Sequence, residues 1–202
     1  GLNDGTGYSD FLDATYSEKI PGINELILPG GAFFTKDMWK NYKPNDGYVY
    51  CNCAYGLLGT IVEKISGERF DKYCRKNIFE PLGMKSSFNV DDMNIPNLAA
   101  LYRDSAAQFD NYGLKKEPRD LSKYKIGTNA AAFSPQGGLR TSAIDLAQFL
   151  IMHINKGEWK GIRILNDTTA VTAHNTMLPY RGWKGMKFGS GVSFYFTQTL
   201  LK

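Results

Sequence analysis

The stretch from Tyr50 to Gly67 limits the fold of this chain more than any other. Ala54, Leu57, Leu58, Ile61, Val62 and Ile65 recur at intervals of three and four, the period of one helix face. The spacing predicts a helix over about Cys53 to Ile65 with that stripe turned to the core. Ser66-Gly67 ends it, because glycine can take the left-handed cap without a Cβ clash. The triplet Tyr50-Cys51-Asn52 stands just ahead, so a phenol and a carboxamide are set at the mouth of a buried helix.

Around this segment the pattern is helical, with little sheet. The first fifty residues carry the turn signals Pro21-Gly22, Pro29-Gly30-Gly31 and Asn45-Asp46-Gly47, which predict short helices and loops. A second helix is expected from about Arg69 to Ile78, stopped by Pro81-Leu82-Gly83. Ser142 is a candidate N-cap with Asp145 three residues on, and Ile144, Ala147, Leu150, Ile151 and Ile154 are expected to line the inner face of the helix that follows, closed by Gly157. A further helix is expected over Asp167 to about Met177, capped by Asn166 or Asp167. Strand character is confined to Leu98–Tyr102 and to Val192–Leu200, which is rich in β-branched and aromatic residues. No internal repeat or linker divides the 202 residues, so one domain is expected.

Basic residues exceed acidic ones by 24 − 20 = 4 and are spread along the chain, which gives no footprint for a nucleic acid partner. No apolar run is long enough to cross a bilayer. Three cysteines cannot all pair with one another. Cys51 and Cys53 have the spacing of a thiolate pair, but Cys-x-x-Cys is absent and neither His153 nor His174 is near in sequence, so the cysteines read as small buried hydrophobes and no metal is expected. The two histidines sit in helical segments and read as partly buried polar residues, not as bases of a catalytic triad.

Four blocks in order carry a resemblance: Tyr50-Cys51-Asn52 with its helix, Ile78-Phe79-Glu80-Pro81-Leu82-Gly83-Met84, Gly137-Gly138-Leu139-Arg140-Thr141-Ser142-Ala143-Ile144-Asp145, and Gly161-Ile162-Arg163-Ile164-Leu165. Together they resemble the serine β-lactamase and penicillin-binding-protein-like hydrolases, class C β-lactamase-related proteins in particular. The resemblance implies an α+β fold, predominantly helical: the helical domain of the β-lactamase/transpeptidase-like fold with an incomplete sheet. It implies hydrolysis of a β-lactam, peptide amide or ester through an acyl-serine intermediate, with no cofactor. Tyr50 would relay a proton to or from the serine. A phenol is a weak base at neutral pH, so a nearby ammonium must favour its phenolate. Asn52 would hold that lysine and bind the acyl amide of a small-molecule or peptide substrate.

The same resemblance sets what is expected to be missing. The nucleophile element, Ser-x-x-Lys, and the Lys-Thr-Gly or His-x-Gly strand are expected beyond the two ends, so residues 1–202 read as a single partial domain, a fragment inactive by itself. A non-catalytic binding or scaffold module derived from the fold is the alternative. A periplasmic or cell-envelope location follows from the resemblance only, and an exposed sheet edge near Val192–Leu200 is expected to favour self-association.

Overall fold

The computed structural model describes residues 1–41, 50–94, 98–100, 102–107 and 120–174, and the strand backbones over 178–181, 187–190 and 195–197. Seven α-helical segments dominate the described residues: α1 (Tyr8–Ala14), α2 (Asn24–Ile27), α3 (Asn52–Ser66), α4 (Phe70–Cys74), α5 (Glu80–Leu82), α6 (Ala143–Ile154) and α7 (Asp167–His174). The strands are short and pair locally and antiparallel. β1 (Tyr102–Arg103) pairs β2 (Ala106–Ala107), β3 (Glu158–Trp159) pairs β4 (Ile162–Arg163), and β5 (Leu178–Arg181), β6 (Lys187–Ser190) and β7 (Tyr195–Thr197) form a three-stranded meander. The chain is therefore α+β and predominantly helical, as the family resemblance implies. The turn signal at Asn45-Asp46-Gly47 and the end of the helix expected to reach Met177 lie outside the described residues.

Helix ends follow local chemistry closely. Gly67 closes α3 at φ 70° and Gly83 closes α5 at φ 72°, both left-handed. Ser142 caps α6, its Oγ accepting from the Asp145 N–H at 3.0 Å, and Asn166 caps α7 by accepting from the Thr169 N–H at 2.8 Å. The helix expected to stop before Pro81 instead runs into it through a π turn over Arg75–Phe79. Pro81 has no N–H to give Asn77, and the turn before it widens until the Glu80 N–H reaches the Arg75 carbonyl five residues back.

The buried faces of α3 and α6 overturn the periodicity reading. In α3 the residues turned inward are Cys53, Gly56, Gly59, Thr60 and Glu63, whereas Leu58, Ile61 and Ile65 face solvent. Small residues win because the helix lies against the 3-10 turn Ala130–Phe133 at close range. A Cβ on Gly56 would come within 2.9 Å of the Ala131 Cβ, and one on Gly59 within 3.0 Å of the Ala130 Cβ. Thr60 Oγ1 accepts from the Ala130 N–H at 2.9 Å across the contact. In α6, Met152 and His153 are buried, while Ile144, Leu150, Ile151 and Ile154 are exposed.

Two apolar clusters flank α3. Phe11, Leu26 and Met38 centre one of them, with Cys51, Cys53 and Ala131 at its edge. Cys74, Phe79, Leu82, Met84 and Met152 form the other. Between them Glu63 ties three strands of chain together, accepting from the Tyr124 hydroxyl (2.7 Å) and from the N–H groups of Gly127 (2.8 Å) and Phe70 (2.9 Å).

Candidate functional site

The amino end of α3 is assembled by a residue far away in sequence. The N-terminal segment runs antiparallel to residues 38–40: the Asn3 N–H donates to the Met38 carbonyl at 2.8 Å and the Lys40 N–H to the Gly1 carbonyl at 2.7 Å. This pairing delivers the Asp4 carboxylate to the first turn of α3. Its Oδ2 accepts from the Asn52 N–H (2.9 Å) and its Oδ1 from the Cys53 N–H (2.7 Å), so Asp4 supplies the cap that Cys51 does not. A negative charge there also meets the positive end of the helix dipole.

The triplet sits on this platform. Cys51 is extended, with φ −148° and ψ 105°, and Asn52 opens the helix. Tyr50 is 56% exposed, so its phenol faces solvent. Asn52 is half-buried, its Nδ2 donating to Asp4 Oδ2 at 2.7 Å, which fixes the carboxamide and leaves its oxygen as the end that can accept from an ammonium. Cys51 and Cys53 lie buried beneath, their sulfurs 3.3 Å apart, with Cys51 Sγ 3.7 Å from Asp4 Oδ1 and Cys53 Sγ 3.4 Å from the Asn3 carbonyl oxygen. Of the two thiols Cys51 ionises first, because its thiolate would accept a hydrogen bond from Cys53. The same bond, followed by burial, holds the Cys53 thiol well above its ordinary range.

The sequence does contain one Ser-x-x-Lys spacing, Ser122-Lys123-Tyr124-Lys125, which corrects the expectation that none is present. It has the wrong setting for a nucleophile. Ser122 and Lys125 are exposed, and the segment is a turn in which the Ser122 N–H donates to Asp120 Oδ1 and the Tyr124 N–H to the Leu121 carbonyl. Tyr124 is bound to Glu63, eleven residues along α3 from Asn52, about 16 Å at the helical rise. The serine therefore belongs to the far end of the helix from Tyr50. Both histidines lie in helices, and His153 is buried with its basicity lowered, first by burial and then by His174, whose Nε2 lies 3.3 Å from His153 Nδ1.

Asp4 is the site residue that sequence reasoning missed. It is separated from the helix it caps by 48 residues, and no local spacing marks it.

Comparison with known proteins bears on this geometry. A family model described as Beta-lactamase matches residues 22–199. The chain is 27% identical over 138 residues to an N-acetylmuramyl-L-alanine amidase of Bacillus subtilis, a match covering 64% of this chain and 31% of the relative. It is 28% identical over 135 residues to penicillin-binding protein 4 of Amycolatopsis lactamdurans, covering 66% and 33% respectively. The chain thus spans about a third of the length of the curated relatives it matches. In fold it is similar to the octameric penicillin-binding protein homologue from Pyrococcus abyssi, with a TM-score of 0.58 at 24% identity over 94% of this chain and 40% of that one.

Proposed function

Because the chain belongs to the β-lactamase family, whose model matches it over residues 22–199, we propose that it is the helical, Tyr-x-Asn-bearing part of a serine hydrolase acting on a β-lactam, peptide amide or ester through an acyl-serine intermediate. The observation that carries this reading is the exposed phenol of Tyr50 beside a carboxamide anchored by Asp4 at the amino end of α3. Tyr50 relays the proton between the serine and the leaving group. Asn52 turns its amide oxygen to the lysine that tunes the phenol, and orients the acyl amide of the substrate. Residues 1–202 form one part of a single domain on this reading. Among the described residues the serine of the Ser-x-x-Lys spacing, Ser122, stands at the other end of α3 from Tyr50, which supports reading this part as inactive by itself. Its partners are a small-molecule or peptide substrate and, along the edge of the β5–β7 sheet, a second copy of the chain, which a sedimentation series over concentration reads out.

The test has two arms. The chain alone should form no adduct with a penicillin or fluorophosphonate probe and should leave a chromogenic cephalosporin and a nitrophenyl ester intact; stoichiometric acylation seen as a mass shift would remove the inactivity. In the longer hydrolase, Tyr50→Phe should slow single-turnover acylation by roughly 10²- to 10⁴-fold, the range for loss of a positioned proton-transfer group, with the melting temperature unchanged. Full activity in Tyr50→Phe would make the triplet a packing feature. A longer protein that never acylates would favour a binding module.

A further inference from the structure

The thiols beneath the triplet differ from the third cysteine in what surrounds them. Cys74 lies among Phe79, Leu82, Met84 and Met152, the setting of a small hydrophobe. Cys51 and Cys53 lie at the edge of the Phe11–Leu26–Met38 cluster, but their sulfurs face each other at 3.3 Å and each also meets an oxygen, Asp4 Oδ1 for Cys51 and the Asn3 carbonyl for Cys53. One ligand atom from each of Asp4, Cys51 and Cys53 falls within 4.8 Å of the other two. We propose that Asp4, Cys51 and Cys53 form a binding site for a thiophilic divalent cation of the Zn²⁺ and Cd²⁺ type, held by two thiolates and one carboxylate at the amino end of α3.

Three features of the geometry support it. Zinc–sulfur bonds of about 2.3 Å at tetrahedral angles put two sulfurs about 3.8 Å apart, so the pair needs to open by only about half an ångström from 3.3 Å. Asp4 is oriented from behind: backbone N–H groups of Asn52 and Cys53 and the Asn52 amide hold its two oxygens, as hydrogen-bonded partners orient a ligating carboxylate. The Cys51 S–H now directed at Oδ1 is the donor that the cation would displace.

Charge balances as well. Binding forms two metal–sulfur bonds and one metal–oxygen bond, and both thiol protons leave to solvent. The site carries −1 when empty, from Asp4, and −1 when filled, from +2 against three anionic ligands, so the helix dipole meets the same charge in both states. A fourth position stays open to water, as three protein ligands imply.

The site shares Asp4 with the hydrolase reading but does not rest on it, and its test needs no activity. The reduced protein is titrated with Zn²⁺ against a chromophoric chelator, and with Co²⁺ to look for a thiolate-to-metal charge-transfer band. One ion per chain, two protons released per ion in calorimetry in two buffers, and the band are expected. Cys51→Ser and Cys53→Ser should each weaken binding roughly 100-fold or more, at least the loss seen when an orienting partner of a metal ligand is removed, while Cys74→Ser leaves it unchanged. Should the serine variants fail to fold, alkylation of the wild-type protein gives the same answer: Zn²⁺ should protect Cys51 and Cys53. Absence of chelator competition, binding that survives in the Cys51→Ser/Cys53→Ser double variant, or equal labelling with and without Zn²⁺ would each overturn the site.

Discussion

Glu63 is 1% exposed, and its carboxylate accepts three hydrogen bonds, from Tyr124, Gly127 and Phe70. Burial raises its pKa from the ordinary 4.5, against the lowering effect of those donors. A carboxylate raised in the fold adds stability below its unfolded pKa, and that increment is lost as pH climbs through the folded value. The advantage of the wild-type protein over Glu63→Gln should therefore shrink as pH rises from 4.5 upward, and chemical denaturation at several pH values measures it. At neutral pH Glu63→Gln should still cost about 1–3 kcal/mol, because a charge-assisted acceptor is lost and its new amide faces N–H and O–H donors; an unchanged melting temperature would show that the three bonds carry no stability. This role was not legible in the sequence. An acid on a helix reads as solvated surface, and its partners lie 61 and 64 residues away at Tyr124 and Gly127. The long-range cap by Asp4 escaped for the same reason, whereas Ser142, Gly67 and Gly83 act on their immediate neighbours and were legible.

At the level of the elements, the main helices could be read from the residues, whereas the short strands β2 to β6, the run of the second helix through Pro81 and the direction of burial could not. A 3.6-residue period locates an apolar stripe but does not say what packs on it. On α3 the close approach of Ala130 and Ala131 selects the face of Gly56 and Gly59, which leaves Ile65 82% exposed, and on α6 Ile154 is 75% exposed. The two readings predict different energies. A buried isoleucine truncated to alanine costs about 2–5 kcal/mol, whereas an exposed one stays within about 0.5 kcal/mol. Ile65→Ala and Ile154→Ala should fall in the second range in denaturant titrations. Gly56→Ala should behave in the opposite sense. Alanine gains about 1 kcal/mol in helix propensity, but its Cβ would lie 2.9 Å from that of Ala131, and overpacking of that kind costs about 1–3 kcal/mol. A net loss of stability is expected, and a more stable Gly56→Ala would show that the α3 contact is loose.

For the whole molecule, the helical bias was legible in the long helical periods, and the place of the triplet ahead of α3 in its adjoining the clearest helix. The arrangement of surfaces was not. Tyr55, Leu58, Ile61 and Ile65 on α3, and Ile144, Leu150, Ile151 and Ile154 on α6, are all more than a third exposed. Single exposed apolar residues are ordinary, but runs at helical spacing make continuous patches of the kind that bind other apolar groups. The folded protein should therefore enhance the fluorescence of a hydrophobic dye while still melting cooperatively, which separates it from a molten globule. Leu58→Lys together with Ile151→Lys should cut that fluorescence severalfold without lowering the melting temperature, because neither side chain lies in a buried cluster. If the native protein leaves the dye dark, these two helix faces are covered in solution. If the paired lysines unfold it, they belong to the core, as the apolar period first implied.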